Sequence, residues 1–520
     1  MTAAPYAGLT ASEALLRDMR GWGDRVAFSG YGGTWTYAQA LDLIARYQAV
    51  YKKHGVKRHE RISLLNANRA EAYLAGVAAQ ALGLSMTPLH TLGSLEDHQF
   101  TLEDAEIDYL FVDVDNYADR GRQLAETVER LKTVFTLGPA DYGVDIRAEA
   151  EAAGAVSPVV EAQSEDPVWI SYTGGTTGKP KGGLRTHPSY IGMVTAILAD
   201  FEFPRDINYL AVAPISHVGG TKLPPTLHRG GRVTFMKGFD AGQVLDTIQR
   251  ERITMTLLVP TMIYLLLDHP KLEDFDLSSL DYLMYGASPM SPTRLMEGLE
   301  RIGPVFGQLY GQTEGYPVSF LSKQDHDSSR PDLFASCGRP VANIQVRLLD
   351  DDLNEVPEGE PGEICVRGPQ VMDCYWNRPE QTEETLKGGW LHTGDVARID
   401  DEGYLYIVDR KKDMIVSGGF NVFPREVEDV LTSHPDVAMA AVIGVPDQKW
   451  GEAVKALIVP REGKSPDPQA LMQMVKDRKG SNQAPKSIDF VDAIPVTPIG
   501  KPDKKAIRAQ YWKDSGRMVG

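Results

Sequence analysis

Residues Ser171 to Gly182 read SYTGGTTGKPKG. Val168, Trp169, Ile170 and Tyr172 have the β-branched and aromatic content of a strand, and Pro188 to Leu198 reads as a helix. Thr173 to Gly182 holds four glycines, three threonines and two lysines. Glycine tolerates positive φ and leaves no side chain in the way, so successive backbone N–H groups can converge on one anion. Threonine hydroxyls add donors, and Lys179 and Lys181 add positive charge. The stretch is a phosphate-gripping loop. It is not a Walker A loop, which needs G-x-x-x-x-G-K-[ST]. Thr173 stands five residues before Gly178, and Pro180 follows Lys179. A flexible linker would share the composition, but it gives no reason to alternate cations with Gly and Pro directly after a strand.

Outward from the loop, a chain of 520 residues is too long for one compact core and implies two or more domains. Its 42% hydrophobic and 24% charged residues are those of a soluble globular protein. The net charge of −17 argues against nucleic acid and against an anionic membrane surface, so any positive field must be built locally. Cys337, Cys365 and Cys374 have no metal-ligand spacing and no even pairing, which fits a reduced, cytoplasmic setting. The opening MTAAPYAGLT lacks the regions of a signal peptide. The apolar run Thr256–Leu267 is too short for stable membrane insertion. Met518-Val519-Gly520 carries no peroxisomal or prenyl signal.

Thr36 and Gln39 form a T-x-x-Q capping box ahead of a helix that Gly55 stops. Arg61–Leu65 and Tyr109–Val114 read as strands, and Ala70–Leu82 as an alanine-rich helix. This alternation over the first 340 residues predicts a doubly wound α/β domain. After Gly338, short strands at Asn343–Leu349, Gly362–Arg367 and Tyr404–Val408 predict a small β subdomain. The apolar-free run Asp409-Arg410-Lys411-Lys412-Asp413 reads as a solvated turn. Beyond it, helices at Pro424–Ser433 and Gln469–Lys479 and strands at Val437–Val445 and Val454–Val459 predict a small α+β domain. The boundary is placed so that residues 1–409 form the large domain and 410–520 the small one.

Four more motifs follow the loop in order: Tyr310-Gly311-Gln312-Thr313-Glu314, Thr393-Gly394-Asp395, Ser417-Gly418-Gly419-Phe420-Asn421 and Pro495-Val496-Thr497-Pro498-Ile499-Gly500-Lys501. Each alone is ambiguous; a turn could carry Y-G-x-T-E by chance, and T-G-D is also an Asx turn. Together they cover most of the chain, which closely resembles the acyl-adenylate-forming enzymes. These comprise acyl- and aryl-CoA ligases, peptide-synthetase adenylation domains and beetle luciferases. The resemblance implies ATP, Mg²⁺ and coenzyme A, with a small-molecule carboxylic acid as partner, and leaves a homodimer open.

Residue by residue, the resemblance assigns nucleotide binding to Thr173, Gly174, Gly175, Thr176, Thr177, Gly178, Lys181, Gly286, Ala287, Tyr310 and Gly311. Tyr310 would stack on adenine, Thr313 would bind phosphate, and Glu314 would hold the metal, consistent with the taste of Mg²⁺ for a hard carboxylate plus phosphate oxygens. Asp395 and Arg410 would bind the ribose, and Lys412 would be the hinge. Ser417, Gly418 and Gly419 would approach CoA, and Lys501 would be the catalytic lysine. Pro502 stands where many relatives have Ile or Val and leaves the lysine in place.

Pro214-Ile215-Ser216-His217 matches the family's P-x-x-H, so His217 would flank the carboxylate site. The glycines at 219, 220, 286 and 311 are expected to leave volume, and Val218, Tyr285, Tyr316, Pro317 and Val318 to make the acyl pocket apolar. This favours an aryl, arylalkanoic or fatty acid over acetate. No Asp in these segments would hold an amino-acid ammonium. The expected reaction is adenylation with release of pyrophosphate, then acyl transfer to CoA. The alternatives are loading of a separate carrier protein, a luciferase-like oxygenase, or an inactive nucleotide-binding scaffold.

Overall fold

The computed structural model describes residues 8–154, 157–173, 180–288, 290–411, 413–417, 420–447, 450–496 and 502–512. Alternation along single strands explains its layering. Leu64, Tyr109 and Phe111 enter one core, while their neighbours Leu65, Leu110 and Val112 enter another. Tyr209, Ala211, Tyr282 and Met284 join the first core, and Leu210, Val212, Leu283 and Tyr285 enter a third. Period-two side chains on strands buried on both faces make one central core shared by two sheets, with a further core outside each.

Among the described residues one sheet has eight strands: Cys374–Tyr375, Gly182–Thr186, Pro167–Tyr172, Ser85–Pro88, Arg61–Leu65, Tyr109–Val112, Thr133–Thr136 and Val144–Asp145. The other has nine: Arg339–Pro340, Gly315–Leu321, Phe306–Gln312, Tyr282–Gly286, Met255–Leu258, Asn208–Ala211, Arg232–Phe235, Val26–Gly30 and Trp35–Thr36. Their centres are parallel; the nine-stranded sheet is antiparallel at both edges and the eight-stranded one only at the edge that carries Gly182–Thr186. The expected α/β class holds. Helix Ala70–Ala81 is buried on all sides except Tyr73, and its alanines let both sheets close on the shared core. The capping box is present, with Gln39 N–H donating to Thr36 Oγ1 (3.2 Å) and Thr36 N–H to Gln39 Oε1 (2.8 Å).

The glycine loop is carried differently from the expectation. Gly182–Thr186, for which the sequence reading offered no element, is a strand antiparallel to Pro167–Tyr172. Thr173 N–H donates to Lys181 O (3.0 Å), so the loop springs from the neck of a hairpin, and the helix starts at His187. GGLRT has little β-propensity; pairing on both edges, to Pro167–Tyr172 and Cys374–Tyr375, makes it a strand.

A four-stranded antiparallel sheet of Gln345–Leu349, Gly362–Arg367, Leu391–Ile399 and Leu405–Arg410 forms the β subdomain. The charged run after it is not simply a solvated turn. Asp409 is 5% exposed and accepts from the N–H groups of Arg410 (2.6 Å) and Arg425 (2.9 Å). One carboxylate of the β subdomain thus holds the first turn of helix Pro424–Thr432 in the small domain. That domain builds its own core from Ile415, Val427, Leu431, Val442, Val454, Ile458 and Leu471. No described helix is long and apolar enough to cross a membrane.

Gly338, where the sequence texture changes, has φ +86° and would place a Cβ 2.1 Å from the Phe320 backbone. Gly338→Ala combines a left-handed strain with a backbone clash and should cost at least about 1–3 kcal/mol. Chemical denaturation checks this; an unchanged midpoint refutes the close approach.

Candidate active site

A cavity of about 3400 Å³ lies between the two large sheets, the β subdomain and the small domain. Its walls bring together chain segments far apart in sequence. Tyr310 sits at the end of strand Phe306–Gln312, in a hairpin with Gly315–Leu321. Asp395 and Arg410 are cross-strand partners in the β subdomain. Tyr310 donates its hydroxyl to Asp395 Oδ2 (2.7 Å), and Arg410 Nε donates to Asp395 Oδ1 (3.1 Å). Asp395 is only 5% exposed. Burial and this carboxylate push the Tyr310 phenol well up, so it stays a donor. Burial works against the Arg410 cation, but Asp395 and Asp413 outweigh it and raise its pKa.

Thr313 and Glu314 turn the same hairpin into the cavity. Tyr375 donates to Glu314 Oε1 (2.5 Å), and Met372 N–H to the Glu314 carbonyl (2.7 Å). Arg185, 4% exposed, donates to the carbonyls of Gln370 (2.5 Å) and Thr313 (2.9 Å). Burial pulls its pKa down to about 10, which still leaves it charged at neutral pH. Lys181 Nζ lies 4.9 Å from the Tyr375 ring centroid. A lysine, a phenol and a carboxylate therefore stand in a row at the loop's neck, a setting for an anion and a hard cation side by side.

His217 faces the cavity with its Nδ1 2.8 Å from Ser216 Oγ and its ring edge-on to His90, centroids 4.3 Å apart. Surrounding protein, aided by His90, pulls its pKa down to about 4. At pH 7 it is a neutral hydrogen-bonding group.

Residues 15–376 match the AMP-binding enzyme family, and residues 426–501 the C-terminal domain of AMP-binding enzymes. The chain belongs to the AMP-binding enzyme family. The medium/long-chain-fatty-acid–CoA ligase FadD8 of Mycobacterium tuberculosis is 46% identical, over 93% of this chain and 87% of that one. A feruloyl-CoA synthase of an Amycolatopsis species is 36% identical over 92% and 95%. The structure of the amide bond synthetase McbA from Marinactinospora thermotolerans superposes with a TM-score of 0.90 at 34% identity, covering 96% and 99%. These comparisons bear out the expected class, an AMP-forming enzyme of the acid–CoA ligase kind. Enzymes of this family use ATP and CoA.

Of the residues the family motif singled out, Thr173, Lys181, His217, Val218, Gly219, Gly220, Ala287, Tyr310, Gly311, Thr313, Glu314, Tyr316, Asp395 and Arg410 line the one cavity. Four others do not. Tyr285 is fully buried on the far face of its strand, bonded to Gln308 and His326 (3.1 and 2.9 Å). Gly286 faces Leu309, Val318 packs against the β subdomain, and Pro317 gives its carbonyl to Gln370. Alternation puts Tyr285 into the outer core, while Gly286, Pro317 and Val318 are taken up by their own packing partners. Ser417 is buried in a strand and also lies off the cavity wall. Gly174, Gly175, Thr176, Thr177, Gly178, Lys412, Gly418, Gly419 and Lys501 lie outside the described residues. Pro502, Asp503 and Lys504, which follow Lys501, line the cavity.

The glycines also act otherwise than expected. A Cβ on Gly220 would meet Ile215 O at 1.9 Å, and one on Gly219 would meet Ala213 O at 3.0 Å. On Gly311 it would meet the Tyr316 ring at 2.8 Å. These glycines permit close packing and do not reserve space for an acyl group. Sequence reading passed over Tyr375, Arg185, His90 and Lys222, since none stands in a glycine-marked motif and only the fold brings them to the site.

The depressed pKa of His217 means its ring should take up no proton between pH 8 and pH 5, and charge only towards pH 4. NMR titration of the ring signals checks this. His217 is exposed within the open cavity, so the lowering is the work of the surrounding walls and His90, and a midpoint above about pH 6 refutes it.

Proposed function

We propose that the chain ligates a hydrophobic carboxylic acid to CoA through an acyl-adenylate, with the residues named above in the roles their motifs suggest. The observation that carries this reading is the convergence of Lys181, Thr313, Glu314, Asp395 and Arg410 on the cavity that the residues following Lys501 also line. In the first half-reaction the acid's carboxylate attacks the α-phosphate of ATP and pyrophosphate leaves. Both reactants are anions, so catalysis is chiefly positioning and charge stabilisation. Asp395, held by Tyr310 and Arg410, accepts the ribose hydroxyls. Lys181 and the loop at residues 174–179 hold the β- and γ-phosphates. Glu314, facing the cavity with Tyr375 on one oxygen, suits Mg²⁺, which takes one carboxylate with phosphate oxygens and water and would offset phosphate charge. Lys501 bridges carboxylate and α-phosphate.

In the second half-reaction the CoA thiol attacks the acyl carbon and AMP leaves. No protein nucleophile is needed, and none of the three cysteines has a role. The small domain turns about residues 410–413, with Lys412 as pivot, withdrawing Lys501 and bringing Gly418 and Gly419 in. The orientation seen here, with Pro502 to Lys504 at the cavity, suits adenylation. The relatives named for fatty and feruloyl acids support a hydrophobic acid, and the reaction is placed in the cytoplasm, where ATP and CoA are found.

An acid screen with ATP, Mg²⁺ and CoA tests the whole. AMP, pyrophosphate and a thioester are expected; ADP with phosphate, or no thioester from any acid, refutes it. The two halves can be separated. A unit charge pair at about 4 Å and effective ε of about 20 interacts by about 4 kcal/mol. Lys501→Ala should therefore slow adenylation by roughly a thousandfold, yet still convert supplied acyl-adenylate and CoA to thioester. A bulky residue at Gly418 should do the reverse. Equal loss of both halves in both variants overturns the alternation.

A further inference from the structure

The cavity has one wall whose chemistry the reaction above does not use. Lys222 is fully buried, between Thr221 and Leu223 at the start of helix Leu223–His228. Its Nζ donates to Thr221 Oγ1 (2.9 Å) and to the Tyr316 hydroxyl. The ammonium lies 5.0 Å from the Phe201 ring centroid and 4.8 Å from that of Tyr316. Among the described residues no charged side chain offsets it, and burial drives its pKa well below the ordinary lysine value.

The other deeply buried cations of the large domain are provided for differently. Arg69 meets Glu71, Asp113 and Asp115, and Arg185 meets two backbone carbonyls. Lys222 has two hydroxyls and two aromatic faces. A desolvated amine without a carboxylate costs stability that a methionine of equal length would not. Both hydroxyls belong to residues that line the cavity, Thr221 and Tyr316, with Lys222 directly behind them. Thr221 follows His217 by four residues of tight turn, in which Thr221 N–H donates to Val218 O and Lys222 N–H to Gly219 O. At about 2 Å rise per residue that is about 8 Å from the carboxylate end.

We infer that Lys222, acting through Tyr316, makes the far wall of the acyl site a hydrogen-bond donor that selects acids with an acceptor, such as a ketone, at their distal end. The inference rests on the ligase reading and narrows its substrate class. Tyr316 is the specificity-determining contact. Lys222 is a positioning residue: it donates to both hydroxyl oxygens, and because Thr221 spends its own proton on the Val218 carbonyl (2.7 Å), the proton left for the cavity is that of Tyr316. An alkyl terminus at this wall would strand that donor, and a site built to bond a polar group discriminates strongly against an analogue that lacks it.

The experiment uses the full chain with ATP, Mg²⁺ and CoA, reading pyrophosphate release. Straight-chain acids of about five to ten carbons are paired with analogues carrying a ketone at the penultimate carbon. The wild type should favour the oxo acid in kcat/KM by at least about tenfold at the best-fitting length. Lys222→Met and Tyr316→Phe should each bring that ratio to about one by lowering kcat/KM for the oxo acid. Lys222→Met should also melt at a higher temperature, a gain that a purely structural lysine would not give. Equal use of both series by the wild type, or a ratio unmoved in the variants, overturns the inference alone. Absence of pyrophosphate release with every acid overturns the ligase reading and this inference with it. If Lys222→Met does not fold, Tyr316→Phe decides.

Discussion

Asp395 is the group on which the site's geometry depends. Its two oxygens take a phenol from the nine-stranded sheet and a guanidinium from the strand that leads into the small domain. Three pieces of chain, 310, 395 and 410, are thereby fixed at one point. Its own backbone N–H is held by Thr393 Oγ1 (3.1 Å), and the N–H of Gly394 by Glu363 (3.0 Å). The carboxylate is buried, yet one charged and one neutral donor already satisfy it, so it need not move or change charge when a ligand with hydroxyl groups arrives. Preorganisation of this kind favours binding because the ordering has been done before the ligand comes.

The motifs were legible because their chemistry is local. A glycine loop, a T-G-D turn and a Y-G-x-T-E hairpin each place their groups within a few residues of one another, so order and spacing announce them. Elements marked by period or cap were legible too, as the helix after Thr36 and the alanine-rich helix at residue 70 show. Strand Gly182–Thr186 was not, because pairing on both its edges, and no propensity of its own, makes it a strand. Nor was the side of a strand on which a residue falls. Tyr316 lines the cavity while its neighbour Pro317 does not, and one step in register exchanges them. Tyr375 and Arg185 meet Glu314 and Thr313 only through the fold, across more than sixty and a hundred residues of chain. Cys365 shows the same limit. It has no ligand spacing in sequence, yet cross-strand pairing sets it beside His392 and Glu363, where the Lys411 ammonium, 3.2 Å from Glu363, already balances the carboxylate.

The junction between the domains is built to a different standard from the Asp395 cluster. Arg398 meets Glu426 at 3.3 Å and Arg508 meets Asp413 at 3.3 Å, and partly exposed pairs of this kind are each worth about 0–1 kcal/mol. Asp409 is the exception in being buried, and there burial raises its pKa to about 6. The sign follows from that direction. A carboxyl whose folded value lies above its unfolded one contributes stability that is fully present below the unfolded value, near 4, and lost as pH rises through 6. At neutral pH the docked helix Pro424–Thr432 therefore sits on an ionised carboxylate that the Lys504 charge and two backbone donors only partly compensate. A junction of weak pairs around one imperfectly solvated charge holds an orientation without locking it. The proposed turn, in which the small domain presents a lysine in one half-reaction and a glycine loop in the next, would need an interface of that strength, and an apolar one of the same area would resist it.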